Sequence, residues 1–312
     1  MTERPPISSH PSPEASLPAT ATQVAITAPV RAILWMLLAS ALFALMALCS
    51  RLSSGSAPWT EVAFARAFFG LLVAASVARI RGFPLRVQDQ KRAWGRSLCG
   101  TLSMLCTFYV YGAPELPLGD AAALGATSPI FLAVLAPLVL GERSGKKALL
   151  ATPLAFFGVI LVVQPKLQIA GHLAAISTLG ALFSAFAMLF LRRLGPNESP
   201  EAVATHFSAV ATVITLVLAI PTFQRPDLPG FLALAGTGIS AGLGQLAMTR
   251  AYALDHAARV GTVGYAGVVL TQLLGVLVLD ERPGWGQVVG TTLVIVSGVL
   301  LALTALRYSR RA

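Results

Sequence analysis

The composition of this 312-residue chain excludes an ordinary soluble domain. Hydrophobic residues make up 55% of the chain and charged residues only 12%, with a mean hydropathy of +0.74. A typical soluble domain has about a quarter of its residues charged. The formal net charge of +10 must therefore be explained in the context of a membrane protein.

The first 29 residues differ from the rest of the chain. They are rich in Pro, Ser, Thr and Ala, and they lack the continuous apolar core of a signal peptide. Such a segment cannot bury enough apolar surface to offset the entropy of ordering it. We therefore predict that residues 1–29 form a disordered cytoplasmic tail.

Ten apolar runs follow, each long enough to cross a bilayer core of about 30 Å as a helix. They are continuously apolar rather than alternating, which favours helices over the strands of a barrel. The sequence therefore predicts an all-α membrane protein with ten transmembrane helices. The runs lie at about 31–50, 58–78, 97–113, 118–140, 148–165, 170–191, 201–221, 230–249, 258–279 and 285–306.

The chain contains an internal duplication. Residues 118–161 and 257–300 share eleven identities at a constant offset of 139, centred on LVLGERSG and LVLDERPG. A second register, at offset 140, matches ALFALMA at 41–47 with ALFSAFA at 181–187. Duplicated helical units are typical of membrane proteins whose site lies between the halves. We predict two five-helix repeats, at 30–166 and 167–307.

The distribution of basic residues predicts the orientation. With the N-terminus inside, eighteen Lys and Arg fall in cytoplasmic segments and four in external ones, while Arg66 lies within a span. This positive-inside bias places both termini in the cytoplasm. Since each repeat has five helices, the second must be inverted relative to the first. Topology and anionic lipid headgroups explain the net charge, so no nucleic acid partner is expected.

Several motifs resemble those of the EamA-type transporters in the drug/metabolite transporter superfamily. These are the acidic turns LGER and LDER between the fourth and fifth helices of each unit, the stretch LPLGDAAALGATSPIFLAVLAPLVLGE, and EVAFARAFFGLL at 61–72. The resemblance covers about residues 31–306. It implies a bacterial-type inner-membrane transporter of amino acids, nucleosides, vitamins or similar metabolites. It also implies a central cavity lined by spans one, three, four, six, eight and nine.

Polar side chains within the spans are candidates for substrate binding. Arg66 is costly at mid-membrane and could hold a carboxylate or phosphate, or it could extend outward to a structural partner. The uncharged candidates could orient a polar metabolite or simply join helices by hydrogen bonds. On the eighth span, Gly238 and Gly242 lie one turn apart and predict close helix packing. The candidate binding residues are Arg66, Tyr109, Ser128, Gln245, Thr249, Tyr265 and Gln272.

No residue pattern in the sequence predicts catalysis, a metal site or a cofactor. The three Cys and four His are scattered, and neither a GxSxG motif nor a Ser/His/Asp cluster is present. We therefore predict an alternating-access transporter of a small polar metabolite, not an enzyme. Its expected partners are the substrate and membrane lipids, and it is expected to be a monomer or homodimer. A non-saturable channel and an intramembrane enzyme are the alternatives.

Overall fold

The computed structural model describes residues 19–113, 127–141, 171–194 and 198–280, with isolated positions within 118–125, 153–161 and 284–296. Within these residues the regular structure is entirely helical. Most of the predicted tail, the acidic turns, and most of the predicted fifth and tenth spans lie outside them. The helices are α1 (Ala19–Ser53), α2 (Trp59–Ile80), α3 (Gln90–Tyr111), α4 (Ser128–Leu140), α5 (Gly171–Leu194), α6 (Pro200–Ala219), α7 (Leu228–Leu254), α8 (Ala257–Val263) and α9 (Ala266–Val278).

Six segments of the described residues are long and apolar enough to cross a membrane. They correspond to the predicted first, second, sixth, seventh, eighth and ninth spans, the ninth being made of α8 and α9 together. The helix α3 begins at Gln90, earlier than the predicted third span, and α1 begins at Ala19. The candidate membrane spans are Ala28–Ser53, Trp59–Ile80, Ala175–Leu194, Pro200–Thr222, Leu228–Leu254 and Arg259–Val278.

Three helices begin at side-chain caps that the sequence encodes. The carboxylate of Asp89 accepts a hydrogen bond from the Arg92 amide (3.1 Å), and Ser199 and Asp227 cap α6 and α7 in the same way. In α6 and α7 a proline lies in the first turn, where its missing amide leaves no helix bond unmade. These caps fix where each helix starts.

Several Ser and Thr hydroxyls inside the bundle are satisfied by their own helix. For example, Thr215 donates to the carbonyl of Ala211 (2.7 Å) and Thr237 donates to that of Ala233 (2.9 Å). Back-bonding of this kind lets Ser and Thr occupy a membrane helix without an unpaired donor. These hydroxyls therefore need no partner on another helix.

The two repeats interlock, and their contacts follow a pseudo-two-fold pattern. At the repeat offset, α1 corresponds to α5, α2 to α6, α3 to α7, and α4 to α9. The most extensive packing is α1 on α7, and its repeat mate α5 on α3 comes next. The contact of α2 with α7 likewise corresponds to the contact of α6 with α3. The contact of α1 with α9 corresponds to that of α5 with α4. The interface between the repeats therefore runs through the centre of the bundle.

The predicted glycine packing is confirmed at the contact between α2 and α7. A Cβ placed on Gly242 would lie 3.0 Å from Gly70 Cα, and one on Gly238 would lie 2.5 Å from the carbonyl oxygen of Ala65. Real side chains essentially never approach as closely as the Gly238 position would require. Glycine at these positions lets the two backbones touch, because no side chain separates them.

Candidate functional site

A cavity of about 310 Å³ lies between the two repeats. Its wall combines aromatic and Met side chains with a limited set of polar groups, as is usual for small-molecule sites. The first repeat contributes residues of α1 to α4, and the second contributes residues of α5 to α9. The polar and tyrosine side chains of the lining are Arg66, Arg96, Ser103, Thr107, Tyr111, Ser128, Ser184, Gln245, Tyr252, Tyr265 and Thr271.

Two arginines in the wall of this cavity contact the same aromatic ring. The side chains of Arg66 and Arg96 are buried, with residue exposures of 7% and 1%. Their guanidinium carbons lie 4.9 and 4.3 Å from the centroid of one aromatic ring, that of Phe207 on α6. Cation–π attraction of this kind orients both cations against the same ring.

The position of the Arg96 guanidinium depends on a glycine one turn along α3. A Cβ on Gly100 would overlap Nη1 of Arg96 and would lie 2.9 Å from the Phe207 ring. Any larger residue at position 100 would therefore displace the guanidinium or the ring. The sequence thus leaves open the space that the arginine occupies.

No described carboxylate compensates these two charges. Neither arginine forms an ion pair or a hydrogen bond with the described residues, and the Nε and Nη1 atoms of Arg96 are buried without a partner. Within the described ranges, none of the acidic residues lines the cavity. These acidic residues are Glu61, Asp89, Glu198, Glu201, Asp227, Asp255 and Asp280.

The second repeat supplies uncharged polar groups to the opposite wall. The side-chain amide of Gln245 donates a hydrogen bond to Thr249 Oγ1 (3.2 Å). The Thr249 hydroxyl in turn donates to the backbone carbonyl of Gln245 (2.8 Å). The Tyr265 hydroxyl is buried and has no hydrogen-bond partner in the described part of the chain. Gln245 and Tyr265 therefore keep donor and acceptor capacity for a bound molecule.

The predicted binding residues fall into three groups. Four of them line the cavity: Arg66, Ser128, Gln245 and Tyr265. Thr249 and Gln272 are buried but are not part of its wall, and Thr249 contacts it only through Gln245. Tyr109 lies outside the cavity, is 38% exposed, and packs edge-on against the ring of Trp59 at 5.6 Å.

Sequence reasoning missed Arg96 as a site residue. Because the sequence predicts that the third span begins at residue 97, it places Arg96 among the charges of the cytoplasmic loop. The structure starts α3 at Gln90, so that Arg96 lies inside the helix. The overlooked signal was its spacing from Gly100 and Met104 at intervals of four, which places all three on one buried helix face.

Polar contacts between the repeats close the bundle on both sides of the cavity. At one end the guanidinium of Arg250 in the second repeat, which pairs with Glu201 of the same repeat, lies 4.9 Å from the centroid of the Trp35 ring in the first repeat. Oε1 of Glu198 accepts hydrogen bonds from two backbone amides of the first repeat, both at 2.8 Å. At the other end the hydroxyls of Thr60 and Thr222 are 2.6 Å apart. Each closure joins one repeat to the other.

The model of the EamA-like transporter family matches residues 30–164 and again residues 170–304. The chain belongs to this family. The duplicated match agrees with the repeat seen in the sequence and with the paired contacts of the helices. As a member of a transporter family with several membrane-spanning helices, this is a multi-pass membrane protein.

Relatives of the chain carry transporter names. The pseudopaline exporter CntI of Pseudomonas aeruginosa is 28% identical over 274 residues, covering 87% of this chain and 96% of the exporter. A riboflavin transporter of Vibrio cholerae is 26% identical over 289 residues, covering 91% and 96%. A crystal structure with 18% identity superposes with a TM-score of 0.75 over 89% of this chain and 98% of its own, and so shares the fold.

Proposed function

We propose that this EamA-family protein moves a small polar metabolite across the inner membrane by alternating access. The cavity between the repeats is the observation that carries the proposal. It lies at the centre of the bundle, its wall comes from both repeats, and its volume of about 310 Å³ fits a small metabolite. Four of the predicted residues would contact the substrate: Arg66, Ser128, Gln245 and Tyr265.

The closures at the two ends support an alternating mechanism. Each includes bonds between the repeats, such as the backbone amides of Gln88 and Asp89 with Glu198 at one end and Thr60 with Thr222 at the other. Rocking one repeat against the other would break one closure while the other holds. A site between repeats related by a pseudo-two-fold axis is suited to such motion.

The proposed architecture has ten spans in two inverted repeats, 30–166 and 167–307, with both termini in the cytoplasm. The excess of basic residues in the predicted inner segments, eighteen against four, supports this orientation. The pseudo-two-fold contacts of the described helices support the relation between the repeats. Reporter fusions after Arg311 and within 81–92 should read cytoplasmic, and a fusion at Lys166 should read external. An external C-terminus would contradict both the span count and the inversion.

The relatives support a metabolite as cargo without specifying which one. One is named as an exporter of pseudopaline and another as a transporter of riboflavin. Because these two printed cargoes differ, neither is assigned to this chain. Direction and energy source are likewise not transferred from them.

The proposal is tested by transport in proteoliposomes containing the full chain. Uptake of radiolabelled amino acids, nucleosides, vitamins and organic acids is measured against protein-free vesicles. Flux that saturates with concentration and is accelerated by the same solute on the opposite side would support a carrier. Flux that rises linearly with concentration would indicate the channel alternative, and chemical conversion of a solute would indicate the enzyme alternative.

A further inference from the structure

We infer that Arg66 and Arg96 together form the anion-binding half of the cavity, and that the transported solute is a small organic anion carrying a carboxylate. This inference rests on the proposed transport function and narrows it to a class of substrate. It depends on three observations: the convergence of two buried cations, the lack of acidic or hydrogen-bonding partners for them among the described residues, and the unequal chemistry of the two repeats.

The two arginines reach one point from opposite ends of the bundle. Arg66 lies seven residues into α2 and Arg96 six residues into α3, or about 10 and 9 Å from the first residue of each helix. Because α2 and α3 are consecutive and joined by a short loop, their first residues lie at opposite ends. The two side chains nevertheless meet at the Phe207 ring, with guanidinium carbons 4.9 and 4.3 Å from its centroid.

A structural role alone does not account for this arrangement. Contact with an aromatic face orients a guanidinium but leaves its N–H groups without acceptors. Nε and Nη1 of Arg96 are both buried and have no partner among the described residues, and two like charges beside one ring repel each other. Buried charges are normally paired, since removing them from water is costly. An anion between the guanidiniums would supply the missing acceptors and the opposite charge.

The geometry of the donors favours a carboxylate. A guanidinium presents its N–H groups as a planar fork, which matches the two oxygens of a carboxylate or the oxygens of a phosphate. Gly100 is the feature that lets this fork reach the cavity wall, because a Cβ there would overlap Arg96 Nη1. The remaining wall is largely aromatic and apolar, which suits the carbon skeleton of an organic acid.

Among the described residues, the charged side chains of the cavity wall come from the first repeat alone. At the offset of 140, the positions matching Arg66 and Arg96 are His206 and Gly236. His206 hydrogen-bonds through Nδ1 to Ser97 (2.8 Å) and does not line the cavity. The second repeat instead offers the amide of Gln245 and other neutral groups. The substrate is therefore expected to place its carboxylate toward α2 and α3 and its neutral polar end toward α7 and α9.

The first arm of the test compares acids with amides of nearly equal size. Purified full-length protein is titrated with glutarate, its monoamide and its diamide, and with phenylacetate and phenylacetamide, by calorimetry. Both acids and the monoamide should bind, because each keeps a carboxylate for the arginines, whereas the diamide and phenylacetamide should not. Absence of binding by both acids, or equal binding by an acid and its uncharged amide, would overturn the inference.

The second arm uses variants of the arginines. Arg66→Gln or Arg96→Gln removes charge-assisted hydrogen bonds and should raise the Kd for the acids by about 10- to 100-fold. Arg→Lys variants keep the charge but lose the fork, and should recover part of this affinity. Arg92→Gln, which removes an exposed arginine from α3, the helix that carries Arg96, should leave the Kd unchanged.

Gly100→Ala provides a variant that retains both charges. It should displace the Arg96 guanidinium and weaken acid binding. Gly55→Ala is the control: Gly55 lies between α1 and α2, outside the cavity wall, and none of the described residues lies within 4 Å of the added methyl group, so the Kd should not change. If these variants and the Gln variants all bind the acids as the unmodified protein does, the arginines do not form the site.

Transport measurements separate this inference from the proposed function. Saturable flux of acids, reduced in the Arg66 and Arg96 variants, supports both. Saturable flux of neutral solutes only, with unchanged half-saturation in those variants, overturns the anion site and leaves the transporter proposal standing. Arginine-dependent acid binding without saturable flux of any solute supports the anion site and contradicts alternating-access transport.

Discussion

Replacing Gly242 with alanine should loosen the contact between α2 and α7 and destabilise the bundle. The new Cβ would lie 2.9 Å from Val73 Cβ, 3.0 Å from Gly70 Cα and 3.2 Å from the Gly70 carbonyl oxygen. Two of these three atoms are backbone, so a side-chain rotation cannot relieve the overlap. The helices must therefore separate, and the free energy of unfolding should fall by about 1–3 kcal/mol, as is typical of overpacking.

A matched substitution isolates this overlap from the intrinsic preference of helices for alanine. Alanine is favoured over glycine within a helix by about 0.8–1.0 kcal/mol. That gain is shared by Gly125→Ala, at a helical position where no described residue lies within 4 Å of the new methyl. The free energy of unfolding is measured by titrating SDS into detergent micelles containing each variant. Gly242→Ala should be less stable than Gly125→Ala by about 1–3 kcal/mol. Equal stabilities would refute the close approach of the two backbones.

Two further predictions concern the cavity and the ion pair of Glu201 with Arg250. Gln245→Ala should raise the half-saturation concentration of the transported solute several-fold, since a lost hydrogen bond costs about 1 kcal/mol. The outward-facing Leu243→Ala on the same helix, 41% exposed, should leave it unchanged; equal effects would remove Gln245 from the site. Glu201→Gln leaves Arg250 without its partner and should lower the unfolding free energy by about 3–5 kcal/mol. Adding Arg250→Gln should restore part of that loss, and a strictly additive double variant would contradict the ion pair.

Orientation in the membrane stays a prediction of the sequence. The contacts between the helices are the same whichever end of the bundle faces the cytoplasm. The excess of Lys and Arg on one side carries that information. The two repeats were also visible in the sequence, from identities such as LVLGERSG with LVLDERPG, and both the family match and the paired contacts of α1 with α7 and α5 with α3 confirm them.

The exact start of α3 depended on a local cap that hydropathy does not detect. Charged and polar residues from Gln90 to Arg96 lower the apolar average, so the predicted span began at residue 97. The side chain of Asp89 nevertheless caps the helix by accepting from the Arg92 amide, which carries Arg96 into the bundle. Hydropathy therefore places Arg96 in a loop, whereas in the structure its side chain lines the cavity.

Helical character, the membrane class and the duplication follow from the sequence alone, because each is encoded in composition or in local repetition. The choice between binding and packing roles for the polar residues required the tertiary structure. Helical spacing places Tyr109, Gln245 and Gln272 on helices, but it does not tell which neighbour each one meets. Packing between the repeats brings Gln245 to the cavity and leaves Tyr109 against Trp59. It also brings Arg66 and Arg96 to one ring on α6, more than one hundred residues further along the chain, where only the folded bundle can join them.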